Sequence, residues 1–322
     1  MGKLDELSRA VLPDGLVYTG DPSYNRSDES SWTVAADLVS VVVPTHNRSD
    51  QLRRAVDSVL QQSHKELEII IVDDGSNPPA DVEQRDRRIR LIRTDVCNGA
   101  AAARNAGIQA ARGEYICFLD DDDCYLPGKL SKQLDYLRRH PTVDMVFSNV
   151  MCDHGKGRRR PWLGPDYGYN EIDNLCQNRI HTNSTLLRRH VVNRINFAEA
   201  LCYGEDAEFY GRISLDFKVE YLPGIVAIWH RDNRPDRLTL QDLTLKYRSY
   251  KMFVETFEKV VYDHKVVRTH HYARLAYMAL RLGNVAECRR FLSKLGIVNG
   301  VVQVTKYYIS MKRQYIAMKR QL

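Results

Sequence analysis

The chain has 322 residues, 43% hydrophobic and 27% charged, with a formal net charge of +6. That length allows one large or two modest domains with an ample core, and the composition is that of an ordinary soluble protein. The charge suits an anionic ligand or a membrane surface and selects neither.

No apolar run reaches the ~18–20 residues that span a bilayer. The first fifteen residues lack the apolar core of a signal peptide. The seven cysteines are scattered and form no Cys-x-x-Cys. Neither a zinc site nor a disulfide framework is indicated, so a reducing cytoplasm is the expected setting.

Residues 1–37 read as an N-terminal extension. Leu4, Leu7 and Val11 suggest a short helix packed on the main domain, and Asp21 to Ser31 a loop. Regular structure starts at Leu38. LVSVVVP is a buried strand, and Ser49 is the expected N-cap of a helix burying Leu52, Val56, Val59 and Leu60. LEIIIVDDGS is a second strand running into a turn, and IRLIR a third. An Ala-rich helix spans Asn98 to Ala111. Tyr115 to Leu119 is a fourth buried strand, Pro127 opens a helix with Leu130, Leu134 and Leu137 inward, and VDMVFSNV is a fifth strand. Strands alternating with helices predict an α/β fold with a parallel, helix-covered sheet.

From Met151 the pattern loosens. GKGRRRPWLGPDYGYN reads as a long functional loop. STLLRR is a strand or a helix start. YGEDAEFYGRISL is a helix with Phe209, Ile213 and Leu215 inward, and VEYLP and IVAIWH are two strands. Beyond Asp236 the chain turns helical, with a hairpin turning at Gly283-Asn284. From Val301 to the end there are five basic residues and no acidic one. On a helix Tyr308, Met311, Tyr315, Met318 and Leu322 share one stripe. That pattern fits a helix lying on an anionic membrane, or one capping the preceding hairpin.

Three strands turn polar at the same end: Thr45, His46 and Asn47 after the first, Asp73 and Asp74 after the second, Asp120 to Asp123 after the fourth. In an open α/β sheet ligands gather outside the carboxyl ends of the strands. Four adjacent carboxylates repel one another unless something positive sits among them, and hard divalent cations suit carboxylate oxygens. The competing readings are a solvated acidic turn, or an N-cap before Pro127, and an ordinary Asp-Gly turn at Asp74-Gly75. No GxxxxGK[ST] or GxGxxG occurs, so a P-loop or Rossmann dinucleotide site has little support.

SVVVPTHNR, EIIIVDDGS, NGAAAARNAGIQAARGEYICFLDDDD and GEDAEF, in that order, resemble the family 2 glycosyltransferases over residues 38–235. The resemblance implies the GT-A fold, an open, mostly parallel sheet flanked by helices, followed here by a helical region over 236–322. It implies that Pro44 and His46 hold the base and ribose of a nucleotide, that Asp74 accepts the uracil N3–H, and that Asn98 and Arg104 line the donor site. Asp120 and Asp122 frame the family's DxD motif, with Asp122 the direct ligand of Mn²⁺ or Mg²⁺. Asp120 or Asp121 then holds sugar or ribose hydroxyls, and the run of four leaves the register ambiguous by one residue. Asp206 matches the catalytic base and Glu205 orients the acceptor, against the alternative of an acidic first helical turn. His230 joins the metal or the diphosphate, or is a structural hydrogen-bonding residue. Arg158, Arg159 and Arg160 grip a phosphate-bearing acceptor, or form a solvated loop.

The QxxRW motif of processive synthases is absent, which points to addition of a single sugar. The implied activity is inverting, metal-dependent transfer from a nucleotide-diphosphate sugar, a UDP-sugar first, to a hydroxyl of a glycan or polyprenyl-diphosphate-linked acceptor. The implied setting is bacterial surface polysaccharide synthesis of the O-antigen kind, at the cytoplasmic face of the membrane, with peripheral membrane contact and no nucleic acid. A sugar nucleotidyltransferase would need a Gly-rich basic loop where PTHNR stands. A basic nucleic-acid-binding module is disfavoured by the buried strands and the acidic crevice.

Overall fold

The computed structural model describes residues 35–81, 86–164, 167–231 and 242–296. The expected N-terminal helix and the basic tail lie outside these residues.

The sheet is built around β1 (Ala35–Thr45), which pairs in parallel with β2 (Leu67–Asp74) on one side and β4 (Gly113–Phe118) on the other. β3 (Ile89–Thr94) adds to β2, also in parallel. The β-branched runs place successive side chains on opposite faces, and both faces are covered. Val39, Val41 and Val43 pack with Leu52, Ala55, Val56 and Val59 of α1 (Ser49–Leu60). Val42, Ile70 and Val72 pack with Ala101, Ala103 and Ile108 of α2 (Ala100–Ala110). The alanines of α2 have a steric reason. A Cβ on Gly107 would sit 2.2 Å from Val42 Cγ1, so the helix lies directly on β1.

Helix starts differ by a residue or two from expectation. Arg48, not Ser49, holds the N-cap position of α1. The reason is Asn47, whose left-handed φ of 57° is held by bonds to Ser76 Oγ (2.9 Å) and the Asn77 N–H (2.7 Å). α3 (Lys129–Arg139) likewise begins after the left-handed Gly128 rather than at Pro127.

The second half is mixed. β6 (Met145–Asp153) reaches the sheet through β8 (Thr185–Arg188), which is antiparallel to both β4 and β6. β9 (Val219–His230) runs parallel to β6, β5 (Cys124–Tyr125) pairs antiparallel with β9, and β7 (Arg159–Pro161) forms a hairpin with β6. The order is β3-β2-β1-β4-β8-β6-β9-β5, and β3, β2, β1, β4, β6 and β9 share one direction.

VEYLP and IVAIWH, expected as two strands, are one. Pro223-Gly224 is absorbed by register shifts against β6, as a bulge accommodates a residue with no ladder N–H. The Arg-rich segment expected as a loop contains β7. STLLRR splits into β8 and the short α5 (Arg189–Val192). In α6 (Glu205–Asp216) Phe209 and Ile213 are buried as expected, but Leu215 is exposed.

α7 (Leu243–Thr256), α8 (Glu258–Asp263), α9 (Lys265–Arg281) and α10 (Val285–Ser293) build a third core. Tyr250, Phe253, Leu275 and Phe291 pack there with Leu175 of α4 (Glu171–Gln177). α9 and α10 form the expected hairpin, with Gly283 in a left-handed turn and Asn284 Oδ1 accepting the Glu287 N–H at 3.0 Å. Among the described residues no helix is long and apolar enough to cross a membrane.

Candidate active site

The buried β4 delivers Asp120 to Asp123 to the carboxyl edge of the sheet, and the structure gives each carboxylate a different environment. Asp120 is 30% exposed and accepts from Arg104 Nη2 at 2.8 Å. Asp121 accepts from Thr45 Oγ1 at 2.8 Å and Arg48 Nη1 at 3.1 Å, and burial pushes its pKa up to about 6 against the attraction of Arg48. Asp122 is 14% exposed, 3.5 Å from the same Arg48 nitrogen. Asp123 is fully buried and accepts from Asn183 Nδ2 at 2.5 Å and the His230 N–H at 2.7 Å. Burial first, then the charges of Asp122 and Asp120, raise its pKa well above the usual carboxylate range. Asp120, Asp121 and Asp122 therefore face the cleft, while Asp123 braces β9 behind them. Two arginines, Arg48 and Arg104, supply positive charge that the acidic run requires.

The second strand end divides its labour. Asp73 is fully buried and accepts the N–H groups of Ser76 and Ala80, both at 2.9 Å, as well as Arg93. Asp74 organises the segment after β3. Its carboxylate accepts the N–H groups of Asn98 (2.9 Å) and Gly99 (2.8 Å), Thr94 Oγ1 (3.1 Å) and Cys97 Sγ (3.2 Å). His46 Nδ1 donates to the Asp74 carbonyl at 2.7 Å. Pro44, His46 and Asp74 line the cleft. Asn98 does not, and its side chain donates to Val96 O at 3.0 Å instead.

Across the cleft, the left-handed Gly204 turns the chain into α6 and presents Glu205 and Asp206 on its first turn. Arg104 Nη1 donates to Glu205 at 2.9 Å, so one buried guanidinium joins α6 to Asp120. Burial opposes the charge of Arg104, and Asp120 and Glu205 more than offset that, leaving its pKa above the ordinary value. Asp206 accepts from the Ala207 N–H at 2.7 Å and from Asn178 Nδ2 at 3.3 Å. Burial and then the neighbouring Glu205 push its pKa up to about 6, against the pull of Arg104. A carboxylate with such a pKa is poised to take a proton near neutral pH.

Pro44, His46, Asp74, Arg104, Asp120 to Asp122, Glu205 and Asp206 line one cleft of about 1360 Å³. His230 stands apart from it, with Nδ1 3.6 Å from the buried Asp123. Sequence reasoning missed several lining residues. His181 lies tilted against Trp229 at 4.7 Å, Trp162 meets Trp229 edge-on at 5.4 Å, and the Arg231 guanidinium, itself outside the lining, lies 4.5 Å over Trp229. Burial lowers the His181 pKa to about 4, so its imidazole is neutral. No motif marked these positions, because β8, β7 and β9 are brought together only by the mixed half of the sheet. Residues of α7 and α9, among them Tyr250, Lys265, His270 and Arg274, also reach the cleft.

Among the described residues no three His, Cys, Asp or Glu side chains converge on one ion position. A cation held largely by phosphate oxygens needs only one or two carboxylates from the protein. Asp122, with Asp120 two residues away on the same cleft wall, meets that requirement.

An uncharacterized glycosyltransferase of Methanocaldococcus jannaschii is 30% identical over 225 residues, which cover 65% of this chain and 77% of that protein. The profile described as Glycosyl transferase family 2 matches residues 40–194. The chain belongs to glycosyl transferase family 2. Within the family, the Escherichia coli UDP-Glc:alpha-D-GlcNAc-diphosphoundecaprenol beta-1,3-glucosyltransferase is 39% identical over 120 residues, 36% of this chain and 47% of its own length. The chain thus spans about half the length of that relative. The S. aureus TarS 1–349 structure in complex with UDP-GlcNAc superposes with a TM-score of 0.59 at 15% identity, covering 79% of this chain and 90% of that one. The fold is that of GT-A glycosyltransferases. The protein is a glycosyltransferase whose relatives include putative teichuronic acid and colanic acid biosynthesis glycosyltransferases of Bacillus subtilis and Escherichia coli, and the matched profile ends before α6, so Asp206 and the C-terminal helices lie beyond it.

Proposed function

We propose that this glycosyltransferase is an inverting, metal-dependent enzyme that moves one sugar from a UDP-sugar to a hydroxyl of a lipid-linked glycan. The observation that carries the reading is the pairing of two carboxylate sets across one cleft. Asp120 and Asp122 stand at the end of β4, Asp206 stands on α6, and Arg104 ties Asp120 to Glu205 between them.

In this reading Pro44, His46 and Asp74 line the end of the cleft that takes the base and ribose. Asp122, with Asp120, would hold Mn²⁺ or Mg²⁺, and the ion would supply positive charge to neutralise the diphosphate of the leaving group. Asp206 accepts the proton of the attacking hydroxyl, and Asn178 fixes the direction of its lone pairs. Attack from the side opposite the leaving UDP inverts the anomeric carbon. Arg104 holds Glu205 and Asp120 in place and stabilises their charges. The teichuronic acid and colanic acid relatives support a bacterial surface polysaccharide, and the diphosphoundecaprenol-linked acceptor in the name of the E. coli glucosyltransferase supports a polyprenyl-diphosphate-linked glycan. The basic C-terminal stripe then serves as the contact with the anionic cytoplasmic leaflet.

The test is a screen of nucleotide sugars for thermal stabilisation with and without Mn²⁺, since a ligand that binds only the native state raises its apparent stability. A metal-dependent shift with UDP-sugars is expected. Equal shifts with and without metal, or none, would overturn the reading.

A further inference from the structure

The far wall of the cleft carries polar atoms that the chain itself leaves unused. Gln177 Oε1, Asn178 Oδ1 and His270 Nε2 are buried and have no hydrogen-bond partner. Buried polar groups are nearly always paired, so three orphans on one wall mark a place where something else completes them. The amide orientations are not arbitrary. Gln177 donates its NH₂ to Asp173, and Asn178 donates its NH₂ to Asp206 at 3.3 Å. Both amide oxygens are thereby turned away from these carboxylates as pure acceptors. Asn178 ends α4 in the left-handed conformation, φ 45°, which asparagine tolerates better than most residues and which keeps its side chain against Asp206.

α9 completes the wall. The ring of His271 is 1% exposed, with Nδ1 2.6 Å from the Tyr250 hydroxyl. Its neighbour His270 packs against it edge-on at 5.2 Å. Burial first, and then Arg274, hold the His270 pKa down at about 4, so its ring is neutral. Arg274 lies 4.2 Å over the Tyr250 ring, and Lys265 is exposed on the cleft lining at the start of α9. Acceptor oxygens beside the candidate base suit hydroxyl donors, and the positive charge of Arg274, one helical turn beyond His270 on the same lining, suits an anionic substituent.

We propose that the C-terminus of α4 and the middle of α9 form the acceptor subsite, where Gln177, Asn178 and His270 take hydroxyls of one acceptor sugar and Arg274, one helical turn beyond His270, takes a phosphate ester attached to it. This rests on the glycosyltransferase reading of the cleft and adds the chemistry of the second substrate. The bond between Asn178 and Asp206 gives the subsite a direct link to the base: the residue that binds the sugar also orients the carboxylate that deprotonates it.

The experiment uses the full chain with UDP and Mn²⁺ present. Wild type, Gln177→Leu and Arg274→Gln are titrated calorimetrically with sugar 1-diphosphates carrying a short alkyl tail, across the common pyranoses, and with the matching sugar 1-phosphodiesters and uncharged alkyl glycosides. We expect wild type to bind a phosphorylated sugar at least tenfold more tightly than its uncharged glycoside. Arg274→Gln should erase that difference, and Gln177→Leu should weaken binding of both about tenfold. UDP affinity should stay within twofold in both variants, which also reports that they are folded. Preference for the diphosphate identifies a lipid-linked acceptor, preference for the phosphodiester a phosphate-linked polymer, and either supports the subsite. Wild type that binds no sugar of the series, equal binding of charged and uncharged sugars, or variants that match wild type would overturn the proposal while UDP binding leaves the donor reading intact. Failure of wild type to bind UDP would overturn both.

Discussion

Asp206 offers the sharpest test, because its proposed role and its environment make linked demands. Its pKa of about 6 lies about two units above the ordinary 3.8. At ~1.4 kcal/mol per unit, the ionised form burdens the folded state by about 3 kcal/mol. The sign follows from the raised value. The folded protein prefers the protonated acid, so the associated stability is fully present below about pH 4, is lost as pH rises towards 6, and stays lost above it. Asp206→Asn removes that titration. The variant should melt at the same temperature as wild type near pH 4 and higher at pH 7, by on the order of 5 °C or more for a chain of this size. Activity should move the other way, with turnover at pH 7 falling ~10²–10⁴-fold, the usual contribution of a general base. In wild type, kcat/KM should fall about tenfold between pH 7 and pH 5, as the ionised fraction drops from about ten in eleven to about one in eleven. The assays are UDP release across pH and thermal melts at the two pH values. A flat wild-type profile between pH 5 and 7, or wild-type turnover by Asp206→Asn, would show that Asp206 is not the base.

Asp122→Ala should abolish the Mn²⁺-dependent part of the UDP thermal shift and lower transfer at least ~100-fold, and EDTA should do the same to wild type; full turnover in EDTA would refute the metal assignment. Arg104→Met leaves Asp120 and Glu205 facing each other without their shared guanidinium, so chemical denaturation should register a loss of about 3–5 kcal/mol. Gly107→Ala drives a methyl into Val42 and should destabilise by about 1–3 kcal/mol in the same assay, with no effect on UDP affinity beyond that of unfolding. A chain ending near Gly300 should lose salt-sensitive sedimentation with anionic liposomes that the full chain shows; equal sedimentation of both would remove the tail from the membrane contact.

The first half of the fold was legible because local pattern and tertiary outcome coincide there. β1, β2 and β4 are continuous β-branched or aromatic runs bounded by turn residues, and a parallel sheet covered on both faces is what such runs require. The polar residues at their ends, Thr45, Asp74 and Asp120 to Asp122, fall in one cleft because parallel strands end on the same side. The sequence could not say which of four adjacent aspartates faces the ligand. That depends on Asn183 and the His230 backbone claiming Asp123, and on Arg48 and Arg104 claiming the others, contacts made across 60 or more residues in three of the four cases. The mixed half was unreadable for the same reason. β8 enters between β4 and β6 as a four-residue strand, too short to carry a pattern, yet it decides that His181, Trp162 and Trp229 meet at the cleft. The sequence alone determined the family, the parallel core and the carboxylates available for chemistry, since each is written in contiguous residues. Only the tertiary structure decided how those carboxylates are partnered and which helices close the far wall, since burial and long-range hydrogen bonding belong to the packed chain and to no local stretch of it.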